Sequence, residues 1–280
     1  MDFADVPADV RRTVEGYLEV ADRLLPGRVT GFYLVGSVAL GAYRPGRSDI
    51  DFVAVLDGDG ELSPADLRRL RLVQVASGLR TAPPALVRGH LALPGTCNGV
   101  FVRAADLRRP VTTIVPLASH GGARLRAGRG FDVNPVQWTT LARRGVAVRG
   151  PEPAALGLDP EPDRLRQWNL DNLAAYWVPW AQETRRPGLR WRAAPGWSTA
   201  WGVLGPPRLH HTIATGDVIA KEAAGEWAKA TLGPRHHAIV DEGLAWWRGQ
   251  PADPAFADVA TRAQATADLV LAIADAAARL

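Results

Sequence analysis

The run from Gly31 to Leu56 constrains the fold more than any other stretch of this 280-residue chain. Phe32 to Val35 reads as one buried strand and Ile50 to Leu56 as a second, both apolar runs of strand length bounded by glycine and polar residues. Gly36-Ser37 follows the first strand directly. It is expected to open a short helix whose leading backbone N–H groups are free to hold phosphate. Asp49 and Asp51 flank Ile50 at the start of the second strand. Residues i and i+2 of a strand share a face, so the two carboxylates stand side by side near the Gly-Ser turn. Magnesium is usually held by one or two carboxylates together with phosphate oxygens, and paired metals support in-line displacement at phosphorus. The pattern therefore suits a triphosphate bound through divalent metal.

The remaining composition narrows the class. An apolar fraction of 47% belongs to a globular protein, and the length allows one large or two ordinary domains. No stretch approaches the ~18 uninterrupted apolar residues of a membrane span. The first residues, Met1 to Pro7, have neither a basic region nor a hydrophobic core, so a cytoplasmic protein is expected. Cys97 is the sole cysteine, which excludes an intrachain disulfide and a cysteine zinc cluster. It reads as a small core residue. The net charge is +4, carried almost wholly by arginine, since Lys221 and Lys229 are the only lysines. The arginines are interleaved with acids and form no nucleic-acid stripe. The expected partner is a nucleoside triphosphate, with no nucleic acid, no membrane and a monomeric chain.

Along the chain, residues 1–150 alternate helix and strand signals. Val10 to Leu25 has helical periodicity and stops at Pro26-Gly27. Ser63-Pro64-Ala65-Asp66 is a helix start, with a capping hydroxyl and proline at the first helical position, opening a helix to about Ser77. Gly99 to Arg103 and the region after Val111 read as strands, Pro135 to Arg144 as a helix and Val146 to Val148 as a short strand. Residues 151–163, dense in proline and glycine, read as a linker. Beyond it strand signals vanish. Arg164 to Gln182, Arg208 to Thr215, Ala220 to Leu232, Ala238 to Arg248 and Ala255 to Leu280 read as helices, so residues 164–280 are expected to form a helical bundle. The fold class is α+β, an N-terminal α/β domain with a mixed sheet followed by a C-terminal helical domain.

Leu34-Val35-Gly36-Ser37 with Arg44 to Asp51 resembles the signature of the polymerase-beta-like nucleotidyltransferases, a Gly-Ser turn followed by Asp-x-Asp on the next strand. It is most similar to the aminoglycoside nucleotidyltransferases, in particular the streptomycin/spectinomycin adenylyltransferases. The second half carries the resemblance onward. Arg208, the Thr215-Gly216 turn, Lys221 and the Ala224 to Trp227 helix occur in the order and spacing of that family's C-terminal segment. The resemblance implies Mg2+ and ATP as substrate, metal binding and catalysis by Asp49 and Asp51, and nucleotide contacts from Gly36, Ser37 and Ser48. It implies phosphate contact by Lys221, and a place in the cleft between the two domains for Arg208. It also implies an antibiotic-resistance role, with an aminoglycoside or aminocyclitol hydroxyl as acceptor.

Two departures stand out. The family places a general-base glutamate on a later strand, where this chain has Asn98 or Gly99, and neither accepts a proton at neutral pH. General-base catalysis contributes ~10²–10⁴-fold. Asp106 or Asp132 could substitute, the acceptor could need little activation, or the chain could bind nucleotide without transferring it. The family's nucleotide-side tyrosine is represented here by Trp247. For the acceptor, the family uses a tryptophan and an acid ahead of the arginine. This chain has Trp191, Trp197 and Trp201 there, with no acid between Trp191 and Arg208. Each tryptophan reads as core before platform for a sugar or base. His210, His211, His236 and His237 show no zinc spacing and read as surface or satisfied-core residues.

Overall fold

The computed structural model describes residues 1–58, 60–87, 96–121, 124–251 and 256–280. They form two compact units, Met1–Pro162 and Asp163–Leu280.

The first unit is built on one six-stranded sheet. Its strands are β1 (Val29–Leu34), β2 (Ile50–Leu56), β3 (Cys97–Arg103), β4 (Ala118–Gly121), β5 (Arg124–Ala127) and β6 (Val146–Arg149), in the order β5-β4-β3-β2-β1-β6. Only β2 and β3 run parallel, so the sheet is mixed. Among the described residues the α-helices of this unit are α1 (Ala8–Leu24), the single turn α2 (Gly36–Ala39), α3 (Pro64–Val87) and α4 (Pro135–Arg144).

Strand alternation sends side chains to two covered faces. Phe32, Leu34, Ile50, Phe52 and Phe101 pack on Val10, Val14 and Tyr17 of α1 and Leu70 and Val73 of α3. Tyr33, Val35, Val53, Val100 and Val102 pack on Trp138 and Leu141 of α4. Burial on both faces is why β1 to β3 read as continuous apolar runs.

Three expectations change. The helix that opens at Pro64 continues to Val87, past Ser77. The region after Val111 does hold strands, β4 and β5, but they start later than expected: Val111–Thr113 is a 3-10 turn and β4 begins at Ala118; Pro110 and Pro116 bracket the turn and have no N–H for a ladder. Residues 151–161, expected as a linker, are pinned to the first unit. Leu156 is buried in the α4-side core, Val111 N donates to Asp159 O at 3.1 Å, and Thr112 N donates to a Glu161 carboxylate oxygen at 2.7 Å.

The second unit is helical, with no strand among its described residues: α5 (Pro162–Asn172), a π-helical turn (Leu173–Trp177), α6 (Val178–Thr184), α7 (Trp197–Thr215), α8 (Lys221–Thr231), α9 (His237–Arg248) and α10 (Val259–Ala277). Helix α7 is central and packs on α8, α9 and α10. It begins eleven residues before the expected Arg208 and runs through Pro206 and Pro207. Prolines inside a helix remove backbone hydrogen bonds. Here tertiary packing overrides that cost, because both prolines are buried and the Trp177 ring lies directly against the backbone at Gly205. No helix among the described residues is long and apolar enough to cross a membrane.

Candidate active site

The register of β1 and β2 brings the Gly-Ser turn to the aspartates. Leu34 pairs with Phe52, and Val35 N donates to Asp51 O at 3.0 Å, so the turn begins opposite Asp51. Gly36 has φ +57°, and a Cβ there would stand 2.0 Å from Asp51 Oδ2. The carboxylate therefore lies against the Gly36 backbone, in space that any other residue would fill. Ser37 Oγ is buried with no hydrogen-bond partner among the described residues. The turn of α2 is closed by Leu40 N on Gly36 O and Ala42 N on Ser37 O.

Asp49 lies one residue before β2, at the end of a loop that Ser48 closes. The buried Ser48 accepts from Arg44 N at 3.1 Å through its hydroxyl, and its own N donates to Arg44 O at 2.9 Å. Asp49 Oδ2 accepts from Asn98 Nδ2 at 2.9 Å, and Asn98 is the register partner of Asp51 on parallel β3. Asp49, Asp51 and Asn98 thus gather where β2 and β3 begin, with Gly36 and Ser37 beside Asp51.

This donor set fits a magnesium ion. Both carboxylates are half-buried and oxygen-only, the orphaned Ser37 hydroxyl follows directly on the glycine that packs against Asp51, and magnesium completes such a set with substrate phosphates and water. Among the described residues no cluster of three His, Cys, Asp or Glu could hold a metal by itself.

Of the two positions where a third acid was expected, Gly99 is closed to any side chain, since a Cβ there would meet Phe52 O at 2.0 Å, and Asn98 spends its amide on Asp49. Asp106 is buried and bridged to Arg103 at 3.2 Å and Arg109 at 3.0 Å. Asp132, in the loop before α4, is pushed up to about 6 by burial and by the charge of Asp49. Cys97 is buried, and burial together with the charge of Asp51 raises its thiol to about 12, leaving it an inert core residue.

In the second unit, Arg208, the Thr-Gly turn and Lys221 form one substructure. Gly216, with φ +72°, ends α7 in the left-handed conformation. Arg208 Nε donates to Ile219 O at 3.1 Å and braces the loop that delivers Lys221 as the first residue of α8. The Lys221 ammonium lies 4.4 Å from the Trp247 ring centroid and 5.9 Å from that of Trp201, a cation–π arrangement. Trp227 Nε1 donates to His210 Nδ1 at 3.0 Å and ties α8 to α7. Burial and neighbouring His211 lower the His210 pKa. His211 pairs with Asp217 O, His236 accepts from Arg235, and His237 pairs with Lys229 O, so these histidines serve the bundle. Lys229 pairs with Asp241 at the surface.

The bundle also holds a cavity of about 440 Å³ whose walls include Tyr176, Trp180, Glu183, Arg192, Trp197 and Trp201. Trp197 is 48% exposed and stacks on Trp201, centroids 5.5 Å apart with the planes 16° from parallel. Trp197 is therefore a wall residue where core was expected. The side chain of Trp191 lies outside the described residues. Glu183, an acid from α6, lines the same cavity and is ion-paired with Arg192. Its sequence position, ahead of the window where an acid was sought, hid it. The π-helical turn, a feature frequent at functional sites, carries Tyr176 on the same wall.

Residues 14–87 match the nucleotidyltransferase domain family, and residues 187–272 match the C-terminal domain of aminoglycoside adenylyltransferase. No sequence among the curated proteins matches the chain. Among solved structures it is similar to a spectinomycin adenyltransferase from Enterococcus faecialis, crystallised with ATP and spectinomycin. The TM-score is 0.66 at 13% identity, over 93% of this chain and 98% of that one. The two domain matches, in this order on this fold, place the chain among the nucleotidyltransferases, with the domain pair of the aminoglycoside adenylyltransferases.

Proposed function

We infer that the protein is a magnesium-dependent adenylyltransferase that moves AMP from ATP to a hydroxyl of a small molecule of the aminoglycoside or aminocyclitol class. The observation that carries this reading is the single constellation of Gly36, Ser37, Asp49 and Asp51. Two carboxylates, an orphaned hydroxyl and a turn with no side chain in the way stand within a few residues of one strand end. Asp49 and Asp51 would hold Mg2+, which when bound neutralises triphosphate charge and orients the α-phosphorus for in-line attack. The Gly36-Ser37 turn holds the terminal phosphates, the Ser37 hydroxyl donating to one of them. Ser48 keeps the Asp49 loop closed. From the helical unit, Lys221 and Arg208 are assigned to the nucleotide, a compact ammonium and a planar guanidinium each suiting phosphate oxygens.

The tryptophan-walled cavity is assigned to the acceptor. Ring faces such as Trp197 and Trp201 suit the apolar face of a cyclitol or sugar, and the likeness to a protein crystallised with ATP and spectinomycin supports that class. ATP as donor is in keeping with the expected cytoplasmic location.

The test is pyrophosphate release from Mg-ATP with a panel of aminoglycosides and aminocyclitols that includes streptomycin and spectinomycin. The Asp49→Asn/Asp51→Asn double variant runs alongside. Acceptor-dependent release is expected from the parent protein, at least ~10³-fold above the variant, because removing the metal ligands removes the main electrostatic stabilisation of the transition state. Equal release from both proteins would refute the mechanism.

A further inference from the structure

We propose that Asp132 is the general base of the transfer, the carboxylate that receives the proton of the acceptor hydroxyl in place of the acid missing from β3. This rests on the adenylyltransferase reading and adds a catalytic residue to it.

The argument begins with the sheet face. Asp51 and Asn98 are register partners on β2 and β3, and the next residues on the same face are the partners Val53 and Val100. The loop entering α4 lies on this face. A Cβ at Gly130 would stand 2.7 Å from a Val100 methyl, so Gly130 lies against the residue that is one strand step, about 7 Å, beyond Asn98. The loop is clamped on both sides of Asp132. Before it, Ser119 Oγ donates to Arg129 O at 2.6 Å. After it, Asn134 caps α4, accepting from Gln137 N at 2.9 Å and donating to Phe131 O at 2.7 Å. Val133 packs into the α4-side core. Asp132 is thus held, half-buried, on the face that carries Asp51 and Asn98, and it feels the charge of Asp49.

The two candidate acids divide cleanly. Asp106 follows the far end of β3: Arg103 alone is five residues, about 16 Å, beyond Asn98. Its two oxygens are bound by Arg103 and Arg109. Asp132 has no hydrogen bond or ion pair among the described residues, so its oxygens are open to a substrate proton. It does not join Asp49 and Asp51 in a three-residue metal cluster.

The step balances without another reagent. The acceptor oxygen forms a bond to the α-phosphorus as its proton passes to Asp132. The bond from that phosphorus to the bridging oxygen breaks, pyrophosphate leaves, and Asp132 returns its proton to water.

The experiment compares Asp132→Asn with Asp106→Asn in acceptor-dependent pyrophosphate release, using an acceptor on which the parent turns over, with Mg-ATP binding measured on both. Asp132→Asn is expected to lower kcat by ~10²–10⁴-fold with the parent's ATP affinity and melting temperature. Asp106→Asn is expected to melt earlier and keep kcat within about threefold. Introducing Asn98→Glu into Asp132→Asn should restore at least a tenfold part of the lost rate, returning a carboxylate to the face of Asp49. Parent-like turnover by Asp132→Asn overturns the proposal. A parent that releases no pyrophosphate with any acceptor would instead count against the adenylyltransferase reading itself.

Discussion

In the first unit backbone ladders set the distances between functional groups, whereas in the second side-chain packing sets them. Asp51 is fixed against Gly36 by the antiparallel register of β1 and β2, and opposite Asn98 by the parallel register of β2 and β3. Lys221 takes its place from an arginine bracing a carbonyl, a left-handed glycine and two indole rings. A ladder carries its geometry in the spacing of residues along one strand. An aromatic cluster carries it in contacts between helices far apart in sequence, and such contacts tolerate more rearrangement. One region is therefore expected to fail sharply when its backbone is touched, and the other to fail gradually.

Gly36→Ala is the sharpest way to break the comparison. The new methyl meets Asp51 Oδ2 at 2.0 Å in a backbone conformation, φ +57°, that an L side chain rarely adopts. Either the carboxylate moves or the turn opens. The expected result is a ~10²–10³-fold loss of kcat, since about 1 Å of misplacement at a catalytic centre costs on this order, with about 1–2 kcal/mol of lost stability from the strained backbone. Steady-state kinetics and urea melts measure the two. Kinetics within threefold of the parent would mean that the turn is as forgiving as the helical cluster.

The same contrast explains what could be read from residues alone. The strand–turn–strand and its aspartates were legible because each depends on neighbours within about twenty residues, and period-two alternation fixes the faces. Helix α7 was seen only from Arg208 onward, because Pro206-Pro207 is a local stop signal that packing against Trp177 overrides. The 151–161 segment looked like a linker because proline and glycine density marks an irregular backbone without saying whether it is anchored. Trp197 and Glu183 could not be joined as walls of one cavity, since they come from different helices and meet only through tertiary packing. Asp132 was one of two candidates, and what separates them, the arginine partners of Asp106, is not a sequence signal.

Acid stability sharpens the comparison next. His120 sits in the aromatic core of the sheet unit, beside Phe101 and Phe52 and paired with Tyr17, and burial lowers its pKa to about 3. His210 and His236 in the helical unit are also lowered, in each case mainly by burial. The sign is the same for all three. Each gains a proton more readily when unfolded than when folded, so its contribution to stability is present above the ordinary imidazole range, about 6.5, and is lost as the pH falls below it. For His120 the window extends down to about 3, at up to about 1.4 kcal/mol per pH unit. Urea melts at pH 6.5 and 4.5 should show the sheet unit losing about 2–3 kcal/mol, and His120→Gln should flatten that dependence. An unchanged slope in the variant would assign the loss to other groups.

Trp197→Ala probes the gentler region and carries the smallest effect. The residue is 48% exposed, so truncation leaves little cavity in the core and removes one stacking contact with Trp201, about 0.5–1.5 kcal/mol. If the cavity holds the acceptor, the variant should raise the acceptor KM by roughly five- to tenfold, the equivalent of one lost ring contact. The KM for ATP and kcat at saturating acceptor should stay within twofold of the parent. A rise in the KM for ATP instead would mean that the Trp197–Trp201 stack serves Lys221, whose ammonium lies 5.9 Å from the Trp201 ring, rather than the acceptor. A variant with all three constants unchanged would remove the cavity from the reaction, leaving packing-set geometry in the second unit to Lys221 and Arg208 alone.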